Sequence, residues 1–269
     1  MVALLALCAH HAFRAGGAPR VWQLLAGVLF GVALEWATIQ QLHAYEYGRF
    51  LMMIDEVPVC IGLGWGVIIY SVRLFCAELS LPRWARPVAC GLLALNIDLA
   101  MDAVAIRLGF WDWGRGLSFE YYGVPYANFW AWFWVVMFFS LGLDLAARPR
   151  LSLGRGRSLG RWLGPLGAIV IGLVGVLGTN AIIIELVPRG LQTATIAVTL
   201  GVALCAVLAQ RPKRPRGSLP KVVFAVPLAF HCYFLAAGLL AGFLLQEPVL
   251  LAVSAAMFGL SLWLHRPRR

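Results

Sequence analysis

Charged residues are scarce in this chain: 13% of 269, with only twelve acids, against 61% hydrophobic residues. So few cannot build a polar shell around a water-soluble fold. Also missing are the short motifs that recruit cofactors. There is no phosphate-cradling Gly loop and no G-x-S-x-G elbow, which argues against a nucleotide site and an α/β-hydrolase nucleophile. The cysteines, Cys8, Cys60, Cys76, Cys90, Cys205 and Cys232, form no C-x-x-C pair and lie in or beside apolar runs, as small buried hydrophobes do. The histidines, His10, His11, His43, His231 and His265, never form the spaced boxes that hold a di-iron centre. No metal, redox cofactor or nucleotide is expected.

Long apolar runs dominate instead, and they repeatedly reach the ~20 residues a helix needs to cross ~30 Å of hydrocarbon. We read eight spans, over 21–42, 57–78, 86–107, 124–146, 161–186, 191–210, 221–244 and 248–265. The fold expected is an all-α, polytopic transmembrane helix bundle in a single integral membrane domain, 1–269, with no soluble domain left over. Residues 1–20 read as an interfacial or partly inserted lead-in, because the first thirteen are apolar but too short to cross unaided and lack the basic start of a secretory signal. Leu5-Ala6-Leu7-Cys8 resembles a lipoprotein cleavage site only loosely, since a bulky Leu precedes the cysteine. Residues 21–146 hold the candidate catalytic half, and 147–269 supply supporting helices.

A net charge of +10 would suit nucleic acid, but its distribution points elsewhere. Sorted by alternate loops, 18 Lys and Arg fall on one side, from Arg14 and Arg20 through Arg155, Arg157, Arg214 and Arg216 to Arg269; only Arg49, Arg107, Arg115 and Arg189 fall on the other. This is the positive-inside pattern, which predicts a cell (inner) membrane protein with both termini cytoplasmic. The basic runs meet lipid headgroups, and no nucleic-acid partner is expected.

The acids sort the opposite way. Only Glu78 and Asp144 fall at cytoplasmic span ends, and the others collect at bilayer depth or toward the outer side. Asp98 and Asp102, four residues apart in the run from Arg86 to Arg107, share one face of a helix. An ionisable group at that depth is costly enough to signal function. The plainer alternative is pairing with Arg107 or with neighbouring helices, although a buried pair without a function gains little stability. Aromatic residues crowd the outer loops: Tyr45 and Tyr47 after the first span, then Phe110, Trp111, Trp113, Tyr121 and Tyr122, followed by Phe129, Trp130, Trp132 and Phe133. An interfacial belt accounts for single rings; the density suits a slot for a long apolar substrate or a shield for a cation.

A shift of 67 residues lays Glu35 on Asp102, Val57-Pro58 on Val124-Pro125 and Trp65 on Trp132. Each of the first two helical hairpins thus carries an acid, an aromatic loop, a Val-Pro start and a Trp. A parallel repeat of this kind turns about an axis along the membrane normal and would face Glu35 toward Asp102. Gly62-x-x-x-Gly66 permits close helix packing.

The stretch Leu95-Asn96-Ile97-Asp98-Leu99-Ala100-Met101-Asp102, then Gly109-Phe110-Trp111-Asp112-Trp113, then Tyr121-Tyr122-Gly123-Val124-Pro125-Tyr126-Ala127-Asn128-Phe129-Trp130-Ala131-Trp132-Phe133, resembles the carotenoid biosynthesis integral membrane family. That family includes carotenoid 1,2-hydratases and bisanhydrobacterioruberin hydratases. Glu35, Tyr45-Glu46-Tyr47 and Val57-Pro58 through Trp65 match its earlier half, and the likeness is good over roughly 30–140. The chain departs from the family pattern at Ala103, where the pattern has Pro, and at Gln40-Gln41-Leu42-His43-Ala44, where it is Gly-rich; a straighter acid-bearing helix and a stiffer loop follow.

The resemblance implies cofactor-independent addition of water across the terminal C=C of an acyclic carotenoid, with a carotenoid or other isoprenoid lipid as substrate and membrane lipids as surroundings. Such chemistry needs an acid, a cation-tolerant pocket and an aimed water. Asp98 and Asp102, with Glu35 opposite, would hold a proton between them, one acting as general acid and its ionised neighbour activating water. Asp102 is favoured as the acid because it lies nearer the aromatic loop, though the roles are exchangeable. Trp111, Trp113, Trp130 and Trp132 are candidates to stabilise the cation, and Asn96, Tyr122 and Asn128 to orient water. Two alternatives stay open: a membrane enzyme acting on another isoprenoid or lipid, and a proton-coupled transporter or lipid-binding membrane protein.

Overall fold

A computed structural model describes residues 1–147, 156–213 and 219–266, with side chains except at 156–159. Of the basic residues counted above, Arg148, Arg150, Arg155, Arg214, Arg216, Arg268 and Arg269, with the side chain of Arg157, lie outside the described residues. The helices are α1 (Val2–Leu42), α2 (Val59–Glu78), α3 (Ala85–Arg107), α4 (Tyr126–Ala146), α5 (Gly156–Ala181) with a π turn at Ile182–Leu186, α6 (Arg189–Ala209), α7 (Lys221–Leu240), the one-turn α8 (Phe243–Gln246) and α9 (Pro248–His265). Eight are long and apolar enough to cross a membrane, so the protein is a multi-pass, all-α membrane bundle.

Proline sets several of the starts. Pro58, Pro125, Pro188 and Pro220 each stand just before a first turn, with ψ of 131°, 140°, 137° and 136°, the extended geometry a helix N-cap adopts. The seventh span ends earlier than expected: Gly242, at φ 80°, breaks the chain before α8, where hydropathy runs on to 244. The lead-in is helical. Residues 2–16 are a helical arm joined to the first span across Gly17 (φ 64°, ψ −158°) and Pro19, and they pack into the bundle with Cys8 and Ala12 buried. His11 Nδ1 lies 2.9 Å from the Tyr70 hydroxyl of α2. The reason is chemical: one face of the arm is apolar enough to bury, and its one polar group there finds a partner.

Gly62 and Gly66 seat α2 on α1. A Cβ at Gly62 would stand 2.4 Å from Val32 Cγ2, and one at Gly66 2.4 Å from Val28 Cγ2 and 3.0 Å from the Val28 backbone nitrogen. Gly66→Val should therefore force the helices apart at a cost of about 1–3 kcal/mol, read as a lowered melting temperature in detergent and reduced accumulation in membranes. A variant melting like the parent would mean that this contact does not hold the hairpin.

Two short loop ribbons carry the repeat into three dimensions. Strands β2 (Met53–Ile54) and β3 (Val57–Pro58) pair Ile54 with Val57, and Tyr121 bridges Val124 at the same 67-residue offset. Strands β1 (Glu46–Tyr47) and β4 (Trp111–Asp112) pair across the two hairpins, Glu46 with Asp112 and Tyr47 with Trp111. Trp65 meets its own counterpart Trp132, ring centroids 4.3 Å apart. Equivalent residues in mutual contact are what a two-fold axis between the hairpins produces.

Candidate active site

The four-residue spacing on α3 turns Asp98 and Asp102 onto the side facing α4, where they are 0% and 2% exposed. Asn128, in the first turn of α4, donates from Nδ2 to Asp102 Oδ2 at 2.6 Å and reaches both oxygens of Asp98 at 3.3 and 3.4 Å. One amide thus bridges the two carboxyls, an arrangement suited to one shared proton. Asp102 Oδ1 has no hydrogen-bond partner. Arg107 does not neutralise the pair: its Nη1 donates to the carbonyls of Ala103 and Tyr122, at 2.9 and 2.8 Å. Among the described residues the ion pair found is Arg73 with Asp144, near the opposite end of the bundle.

Glu35 stands across from this pair on α1, close enough to interact electrostatically with Asp102. Three donors converge on its carboxylate. Tyr45 and Tyr47 hydroxyls donate to Oε2 at 2.5 and 2.8 Å, and Trp65 Nε1 donates to Oε1 at 2.7 Å. The two tyrosines come from the β1 loop, which β4 holds in place through the cross-hairpin pairing. Burial first, then the charge of Glu35, pushes both phenols well above their usual range, so they remain neutral donors at any working pH.

Both acid clusters open on one cavity of about 1020 Å³, at the upper end of the range for small-molecule sites. Its wall is largely apolar and aromatic, with Trp111, Trp113, Trp132, Phe110, Phe230 and Phe234 among the lining residues. Trp113 packs at a tilt against Tyr45, ring centroids 4.7 Å apart, and Trp111 meets Tyr47 edge-on at 6.0 Å. Asp102, Glu35, Asn128, Tyr45 and Tyr47 line the same space, whereas Asp98 is set behind Asp102.

Three of the sequence candidates lie elsewhere. Asn96 faces away from the acids, donating to the Met257 carbonyl at 3.0 Å and accepting from His231 Nε2 at 3.0 Å, so it ties α3 to α7 and α9. Trp130 packs with Ile183 and Ile196 and donates to the Thr179 carbonyl, on the opposite side of α4 from Trp132. Tyr122, at φ 52°, offers its carbonyl to Arg107 and its ring to that guanidinium 5.8 Å away. Among the lining residues that stand outside the sequence candidates are Trp65, which the repeat does pair with Trp132, and Asn180 of α5. The only sequence signal for Asn180 is that an amide stands alone within an apolar span.

The sequence model of the carotenoid biosynthesis protein family matches residues 1–208, most of the chain, including Glu35, Tyr45, Tyr47, Asp98, Asp102, Asn128 and Asn180. The chain belongs to that family. Membership gives this membrane protein a role in carotenoid biosynthesis and an isoprenoid substrate. No curated protein and no solved structure matches the chain.

Proposed function

We propose that the protein is a hydratase that adds water to the terminal C=C of an acyclic carotenoid. The observation that carries this reading is Asp102: a residue on the wall of a large apolar cavity whose buried Oδ1 has no hydrogen-bond partner, with a second carboxyl tied to it through Asn128. A long polyene has no group for a polar site to grip except its alkenes. An acid poised in an aromatic pocket is what an alkene requires.

In the reaction, the carboxyl proton of Asp102 adds to the less substituted alkene carbon, and the π electrons form the new C–H bond. The other carbon becomes a tertiary cation. A water oxygen then forms the C–O bond, and the proton it releases returns to the carboxylate pair, giving a tertiary alcohol and restoring the site. Asp98 acts behind Asp102 by sharing its proton, and Asn128 holds the two in register. Glu35, its carboxyl group held in place by three donors, faces the space where the cation develops. The surplus of basic residues at the opposite end of the bundle favours cytoplasmic termini, with the site toward the outer side.

The reading is tested by giving membranes that contain the protein an acyclic carotenoid. A more polar product, heavier by one water, is the expected result; a carotenoid recovered unchanged but redistributed would point to transport instead. The aromatic wall makes a further prediction. If Trp111 or Trp113 shields the cation, Trp→Leu should lower turnover more than Trp→Phe, because Phe keeps a weaker ring quadrupole worth ~0.5–2 kcal/mol and Leu only bulk. The loss should fall on kcat more than on KM, since the contact belongs to the transition state. Equal rates for the two variants would leave these rings as pocket lining only.

A further inference from the structure

Six buried side-chain nitrogen or oxygen atoms among the described residues have no hydrogen-bond partner. Three belong to Trp134, Ser140 and Ser254, away from the cavity; the others, Asp102 Oδ1, Trp113 Nε1 and Asn180 Nδ2, belong to residues of its wall. An unsatisfied buried polar group costs about 1–3 kcal/mol, so such groups gathered on one cavity call for a ligand with polar atoms. Asp102 and Trp113 already have parts in the reaction. Asn180 has none.

Asn180 is 3% exposed and sits at the depth of the acids. Its neighbour Thr179 accepts from Trp130 Nε1 at 3.3 Å, and Trp130 lies two residues beyond Asn128, which grips Asp98 and Asp102. On the side toward α1, Gln41 Nε2 donates to the Leu177 carbonyl at 3.0 Å. Both bonds fix the backbone of α5 beside Asn180. Its free Nδ2 can only donate, and what it can satisfy is an oxygen lone pair. The hydrocarbon end of an acyclic carotenoid has no oxygen; the attacking water does.

We propose that Asn180 is the positioning residue for that water, an inference that rests on the hydratase reading. One lone pair of the water accepts from Asn180 Nδ2. The other attacks the cation, forming the C–O bond, while an O–H bond breaks and its proton passes to the carboxylate pair. The amide supplies no proton and removes none. It decides how the cation is spent: capture by water gives the alcohol, whereas loss of a proton from an adjacent carbon gives back an alkene.

The two fates are separable in D₂O. Deuterium delivered by Asp102 stays in the alcohol when water captures the cation, and remains in recovered carotenoid when the cation instead loses a hydron from another position. Membranes carrying the parent protein, Asn180→Leu or Asn180→Ala are supplied with an acyclic carotenoid, and alcohol yield and deuterium in the recovered alkene are read by mass spectrometry. The ratio of exchange to hydration should rise about tenfold in both variants, the effect of losing one well-placed hydrogen bond of ~1.4 kcal/mol. Because both quantities come from the same sample, the ratio does not depend on how much protein folds. An unchanged ratio, including exchange and hydration lost together, would overturn the assignment and leave Asn180 a packing residue. A parent protein that neither exchanges nor hydrates would instead overturn the hydratase reading beneath it.

Discussion

Asp102→Asn is expected to abolish alcohol formation, with a loss of roughly 10²- to 10⁴-fold, the range that a positioned general acid contributes, while the protein still inserts and accumulates. The amide matches the carboxyl in size. Its oxygen can accept from Asn128 Nδ2 as Asp102 Oδ2 does at 2.6 Å, and its nitrogen then occupies the place of the unpartnered Oδ1. Packing survives and the acidic proton is gone. Asp98→Asn should be strongly impaired but less completely, because Asp98 is behind the wall and acts through its neighbour. The measurement is product formed per unit of membrane-inserted protein. Near-parental conversion by Asp102→Asn would assign the proton to another group.

Glu35→Gln should lower turnover by about 10²-fold or more, as removal of a preorganised electrostatic contact to a developing charge does, with little change in KM. The carboxylate accepts from Trp65 on one oxygen and from both tyrosines on the other. Glutamine has a single oxygen to offer. The indole N–H cannot turn into an acceptor, so the oxygen must go to Trp65, and the amide nitrogen meets the two hydroxyls, which rotate to accept. The loop is retained and the negative charge opposite Asp102 is lost. Trp65→Phe should cost less, since the tyrosines still hold the carboxylate. Full turnover in Glu35→Gln would mean that Glu35 anchors the β1 loop and nothing more.

Part of this site is legible in the order of the amino acids. The common face of Asp98 and Asp102 follows from four-residue helical spacing, which is covalent geometry and needs no partner. The same geometry sets Asn96 apart, since two residues before Asp98 is about 200° around a helix; its chemical suitability as a water ligand hides that. The 67-residue repeat carries Glu35 toward Asp102 and Trp65 onto Trp132, because matching hairpins related by a two-fold axis bring together those equivalents that lie near the axis. Hydropathy, a contest between side chain and lipid at each position, marks the spans to within a few residues, and misses only what depends on a neighbour: the break at Gly242 and the burial of the 2–16 arm against α2.

The sequence alone thus determined the class of protein, the number of membrane-length helices and the acid-bearing face of α3. Tertiary packing decided which face of α4 meets the cavity, so that Trp132 and Asn128 line it and Trp130 does not, and it brought Asn180 of α5 to the same wall. Periodicity assigns a residue to a face but does not say which neighbour that face meets. In a membrane every helix face is apolar enough to meet either lipid or protein, so the choice rests on the close fit of particular side chains, such as Gly62 and Gly66 against Val32 and Val28.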